Sequence, residues 1–115
     1  MVVVGAIDPD KSSYFKFTEL PAEELHDVIQ NKNAAGEITS TLYDTEGKPC
    51  ALEYSNRVVG LTLDEVRAIP QTIGVAALQS KTKPVAAALK GGLLDTLIID
   101  ELTALSVIAL LEVGW

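Results

Sequence analysis

From Arg57 onward the chain alternates short apolar runs with stretches of helical spacing, and this rhythm limits the folds open to it. "RVVGL", "TIGVAA" and "LLDTLIID" are too short and too uniformly apolar for surface helices, and their β-branched residues suit buried strands. "TLDEVRA" and "KPVAAALK" lie between them. Thr62 and Glu65 have the spacing of a capping box, Pro70 closes the first helix, and Gly91 and Gly92 close the second. Asp100 is placed to cap a last helix in which Leu102, Leu105, Ile108 and Ala109 form the expected buried stripe, extended by Leu111. Strands joined through helices make right-handed crossovers over a mostly parallel sheet. The fold class expected is α/β, with three layers built from βα units.

The first half is less regular. Val2–Ile7 suits a strand, "DPDKSS" a polar turn, and "YFKF" is ambiguous. "LPAEELHDVIQNK" predicts a helix over 20–32, with Pro21 at its first position, Glu23 and Glu24 in the first turn, and Leu25, Val28 and Ile29 on one stripe. His26 falls off that stripe and reads as a surface residue. "AAGEITSTLYD" (34–44) reads as a glycine break that continues as a strand, followed by a turn with Gly47, and Ala51–Tyr54 as an extended piece pairing back.

A chain of 115 residues is expected to form one domain over 1–115. Its abrupt ends suit a piece of a larger domain or an engineered fragment. The net charge of -7 argues against this chain gripping nucleic acid by itself, because phosphate contacts need a basic face. A local basic pocket around Lys81, Lys83 and Lys90 is still open to it. Cys50 is the sole cysteine and His26 the sole histidine, which is too few for a zinc site. Cys50 reads as a partly buried thiol. No stretch has the length of a membrane span, and a cytoplasmic location is expected.

Ligands in open parallel sheets gather at strand carboxyl ends. "DPDKSS", "ALQSK" and "DELT" occupy such places, whereas "GEITS" reads as a strand entrance. Lys81 and Lys83 open a helix whose free N–H groups favour an anion, though paired lysines are also ordinary surface residues. Glu37, after Gly36, could accept hydrogen bonds from sugar hydroxyls or be a plain surface glutamate. Asp8 and Asp10 make a weak metal motif and a common Asp-Pro turn. There is no Gly-x-Ser-x-Gly, P-loop or Gly-x-Gly-x-x-Gly, and no acid–base pair is marked, so no catalytic residue is assigned. No cofactor and no metal are expected.

The ordered segments "VGAIDPDKSSYFK", "LPAEEL", "AAGEI…LYDTEGKP", "NRVVGLTLDEVRAIPQTIGVAA…SK" and "LKGGLLDTLIIDELTA" cover nearly the whole chain. In this order the sequence resembles the C-terminal part of the effector-binding domain of SorC/DeoR-type sugar-sensing transcriptional regulators. The resemblance implies a phosphosugar-isomerase-like fold used for sensing. It implies a phosphorylated sugar as effector, an oligomeric bacterial regulator, and DNA binding by a helix-turn-helix domain that lies elsewhere. It gives Glu37 as the acidic effector contact and Lys81 as the phosphate contact, with Gly36 and Ser80 beside them in the ligand-binding set. Lys16 is the nearest match to a further basic contact. Two departures stand out. The family's first βα half, with its phosphate loop, lies before the matched part. The usual glycine pair before the lysine reads Ala77-Leu78 here. A self-associating interaction module without a ligand is the alternative reading, and a small enzyme a third that rests on fold analogy alone.

Overall fold

The computed structural model describes residues 2–5, 21–55 and 59–115. The expectations for Asp8, Asp10, Lys16, "DPDKSS", "YFKF" and Arg57 fall outside them. Among the described residues the elements are β1 (Val2–Val3), α1 (Ala22–Gln30), β2 (Ala34–Ile38), β3 (Thr41–Asp44), α2 (Leu52–Ser55), α3 (Leu63–Ala68), β4 (Ile73–Ala76), a 3₁₀ turn (Gln79–Lys81), α4 (Thr82–Lys90), β5 (Thr96–Ile99) and α5 (Glu101–Glu112). This is a mixed α/β fold with short sheets. One sheet is parallel, in the order β1-β4-β5, and the other is the antiparallel pair β2-β3. Among the described residues the two meet at one antiparallel bridge, where the backbone N–H groups of Gly5 and Glu37 donate to each other's carbonyls at 2.8 and 3.1 Å.

Helix α4 occupies the centre. Pro84, Val85, Ala86, Ala87 and Ala88 are all buried, so the middle of the helix is packed on every side. Val4, Ala76, Leu97 and Ile99 reach the same core from the parallel sheet, Ile38 and Tyr43 from the hairpin, and Val107 from α5. Small side chains on α4 let these elements approach together. The Tyr43 hydroxyl donates to the Pro84 carbonyl at 2.7 Å inside this contact. Burial, with a smaller contribution from the Glu37 charge, pushes the Tyr43 phenol far above its ordinary range, so it remains a donor. A second, smaller cluster joins Val28, Ala34, Leu42, Ala51 and Tyr54 under α1.

Several sequence expectations hold. Thr62 and Glu65 form the capping box, and the Asp100 side chain accepts from the Thr103 N–H. β4, α4 and β5 lie where the pattern put them, and Gly47 takes φ 77° in its turn. Others need correction. Residues 34–44 are two strands, because Thr39 and Ser40 both adopt positive φ (52° and 63°) and reverse the chain. Such two-residue turns are usually marked by Asn-Gly, and this sequence has no such mark. Leu52–Ser55 is one helical turn where an extended piece was expected. Ala51 enters it at φ 49°, which no strand position allows. Val59, Gly60 and Leu61, the described part of "RVVGL", form no strand. Pro21 caps α1 from one position earlier than expected.

The largest correction concerns α5. Leu102, Leu105 and Ile108 are 69%, 56% and 52% exposed, and the helix instead buries Thr103 and Val107. The helix is apolar on almost every side, so spacing alone does not select the inner stripe.

Arg67 supplies a tie that no motif marked. It donates to the carbonyls of Gly91 at 2.9 Å and Gly47 at 2.8 Å, and pairs with Asp64 at 3.3 Å. It thus pins the 44–48 turn to the end of α4, where Gly47 and Gly91 are in backbone contact.

Gly36 sits where a Cβ would come within 2.5 Å of the Tyr43 hydroxyl oxygen and 2.8 Å of Pro84 Cβ. Gly36→Ala is therefore expected to lower stability by about 1–3 kcal/mol through overpacking, read as a lower urea midpoint with an unchanged slope.

Candidate functional site at the carboxyl end of the first strand

Glu37 lies near the end of β2, not at a strand entrance, and its pairing with Gly5 carries it to the carboxyl end of β1. Its side chain covers the Cα of Gly5, in space that any larger residue would need. The Ser40 N–H donates to Glu37 Oε2 at 3.0 Å, so the carboxylate also holds the tight turn beside it. Lys81 reaches the same place from the start of α4 and donates from Nζ to the Val4 carbonyl at 2.8 Å. Two residues 44 positions apart in sequence thus converge on the Val4–Gly5 backbone.

Their charges are restrained by burial. Burial raises the Glu37 carboxyl above its ordinary 4.5, opposed by the Ser40 N–H and by Lys81. Burial lowers the Lys81 ammonium below its ordinary 10.5, opposed by Glu37. Each favours the charged form of the other, yet the cost of desolvation wins for both. A polar ligand that hydrogen-bonds both groups would relieve that cost. The pair suits recognition of neighbouring hydroxyl and anionic groups.

The remaining expected residues are divided. Gly36 faces away from Glu37, against Tyr43 and Pro84. Ser80 opens on a groove of about 1150 Å³ whose lining also includes Gln79, Thr82, Lys83, Leu110 and Trp115. Glu37 and Lys81 do not line it. Lys81, Lys83 and Lys90, which the net charge left free to share a basic pocket, do not gather in one, because Lys90 lies at the far end of α4, paired with Glu46 at 3.0 Å and above the Trp115 ring. Cys50 is half-buried, and its thiol is pushed up to about 12 by burial and by the charges of Asp44 and Glu53, which suits an unreactive thiol. No group of three His, Cys, Asp or Glu among the described residues is placed to hold a metal. No helix among them is long and apolar enough to cross a membrane.

The turn between β4 and α4 holds one residue in an unusual backbone conformation. Leu78 sits at φ 80°, ψ 150°, a region that glycine alone adopts freely, and its side chain points largely into solvent. The backbone takes a conformation typical of glycine although the residue is leucine. No side chain caps the first N–H groups of α4. Asp100 Oδ1 accepts from the Leu78 N–H at 3.3 Å, and Gln79 Oε1 accepts from the Ser106 hydroxyl at 2.7 Å. Neither tie was marked in the sequence, since each joins residues more than twenty positions apart.

A small α/β domain with an acid and a lysine gathered at a strand carboxyl end has the arrangement in which such folds commonly hold ligands. Residues 1–109 match the family described as "Putative sugar-binding domain", and the chain belongs to that family. It is 32% identical over 111 residues to the transcriptional regulator LsrR of Klebsiella pneumoniae, a match covering 96% of this chain and 34% of that protein. It is 33% identical over 78 residues to LsrR of Escherichia coli K12, covering 67% of this chain and 25% of that protein. The chain therefore spans about a third or less of the length of these curated relatives. Among solved structures, a transcriptional regulator from Streptococcus pneumoniae superposes with a TM-score of 0.85 at 22% identity, over 96% of this chain and 42% of that one. A structure described as the "Putative Sugar-Binding Domain" of a transcriptional repressor from Vibrio fischeri gives 0.83 at 24% identity, over 96% and 44%. Full-length SorC from Klebsiella pneumoniae gives 0.77 at 24%, over 92% and 34%. These structural likenesses are statements about fold.

Two outcomes follow from the site. A carboxyl whose folded pKa is raised stabilises fully below 4.5, and this contribution is lost as pH rises through the raised value. Glu37→Gln is thus expected to melt higher than the parent chain at pH 7–8, with the gap closing below pH 4.5 in calorimetric scans. Leu78→Gly is expected to stabilise by about 1 kcal/mol, strain relief outweighing the added freedom of the unfolded chain, measured as a higher urea midpoint.

Proposed function

We propose that this chain is the effector-recognising part of a bacterial sugar-binding transcriptional regulator, and that its ligand is a phosphorylated sugar. In this reading Glu37 accepts hydrogen bonds from sugar hydroxyls and Lys81 takes the phosphate, with Ser80 as a further contact from the adjoining groove. Gly36 serves the site indirectly, by letting β2 lie close to α4. The observation that carries the proposal is the convergence of Glu37 and Lys81 on the Val4–Gly5 backbone. Family membership supports sugar as the ligand class. The reading includes a non-catalytic role, a cytoplasmic location, and DNA binding by a separate part of a longer oligomeric protein. It also treats 1–115 as one portion of a three-layer, phosphosugar-isomerase-like domain whose first half lies outside this chain. A self-associating module without a ligand is the second reading, favoured by the exposed Leu102, Leu105 and Ile108.

Titration calorimetry with glucose 6-phosphate, fructose 6-phosphate and the two unphosphorylated sugars tests the first reading. Heat is expected with the phosphorylated pair only, and a loss of at least tenfold in affinity with Lys81→Met, in line with removal of a charged hydrogen bond. Equal binding of the unphosphorylated sugars would overturn the phosphate assignment. No heat with any of them, together with concentration-dependent light scattering abolished by Leu105→Glu, would favour the second.

A further inference from the structure

Asp100 uses both carboxylate oxygens on different elements. Oδ2 accepts from the Thr103 N–H at 3.0 Å and caps α5, while Oδ1 accepts from the Leu78 N–H in the turn before α4. Ser106, on the next turn of α5, donates to Gln79 Oε1. Two consecutive residues of the turn are thereby fastened to the first two turns of α5, and one of them is Leu78 in its glycine-type conformation.

We propose that Asp100 is the positioning residue of the 77–81 turn and the link through which a ligand held at that turn acts on α5. The inference rests on the ligand reading above for its second half only. The physical reason is competition for one donor. The Leu78 N–H lies in the turn that leads into α4, and an anionic group settling on that donor meets the Asp100 carboxylate already there. Two anions do not share it. The ligand must displace Oδ1, and the carboxylate is then held by α5 alone. Release of this tie frees the start of α5 from the turn, leaving Gln79–Ser106 as the remaining link. The exchange is between hydrogen bonds, with no covalent step.

The test is amide hydrogen exchange by NMR on the whole chain, with Asp100→Asn and Ser106→Ala. Asparagine caps a helix as well as aspartate does but has one acceptor oxygen where the carboxylate has two. Asp100→Asn is therefore expected to leave Thr103 exchange within about twofold and to speed exchange of Leu78 by about tenfold, the size of one lost net hydrogen bond. Ser106→Ala, which keeps the cap, is expected to speed the turn amides by about two- to threefold, a fraction of one hydrogen bond. Unchanged Leu78 exchange in Asp100→Asn overturns the positioning role. With saturating glucose 6-phosphate, the wild-type chain is expected to show altered exchange over Thr103–Val107, a response absent in Asp100→Asn. An equal response in both overturns the link to α5. If the sugar phosphate binds neither protein, the ligand reading fails and the link fails with it, while the ligand-free exchange still decides whether Asp100 positions the turn.

Discussion

The fold depends on how closely α4 can be approached. Its face toward the hairpin is built from Pro84 and alanines, and Gly36 on β2 adds no side chain of its own. That closeness permits the 2.7 Å hydrogen bond from Tyr43 to Pro84, made where no water competes for the hydroxyl. Because β2 is held there, its next residue, Glu37, faces the other way and meets Gly5 at the end of β1. Because α4 is held there, Lys81 at its start reaches the Val4 carbonyl. The packing of small residues on one side of β2 thus sets the polar site on the other. A Gly36 required for packing and a Glu37 available for recognition are neighbours for one geometric reason, the two-residue period of a strand.

How much of this was legible in the sequence differs by region. The second half could be read because its signals are local. A capping box, a proline stop, paired glycines and an aspartate before an apolar run each act within one turn of backbone. Glu37 and Lys81 could be singled out by chemistry and by resemblance, but their meeting could not. It depends on a hairpin turn made by Thr39 and Ser40, residues that do not usually take positive φ, and on the Gly5–Glu37 bridge between two sheets. The inner face of α5 was illegible for the opposite reason. Apolar residues surround the helix, and the choice between Val107 and Leu105 is made by α4, which lies outside the local pattern. Arg67 is an exposed-type residue at the end of an amphipathic helix, and nothing nearby predicts that it will seek two carbonyls twenty and twenty-four positions away.

The electrostatics of the site are those of an unsatisfied arrangement. Glu37 and Lys81 each pay for partial burial, and their mutual attraction recovers only part of the loss. A chain selected for stability alone would replace them with apolar residues or bring them into direct contact. Leu78 adds strain at the same end of the molecule. Cost concentrated at the carboxyl ends of the strands, while the α4 core is closely packed, is the distribution expected of a recognition site on a rigid support.

Arg67 has a consequence for how the molecule comes apart. One guanidinium joins α3, the 44–48 turn and the end of α4, and the contact of Gly47 with Gly91 leaves no room for water between them. None of these three segments can open by itself without leaving at least one carbonyl without its partner. They should therefore behave as one cooperative unit at the end of α4 remote from the ligand turn. The two ends of that helix then differ in kind, one fastened by a cation and tight backbone contact, the other by a single carboxylate on the turn before it. Fluctuations of the native state would be graded along α4, small at Gly91 and larger at Lys81, with the softer end facing the site.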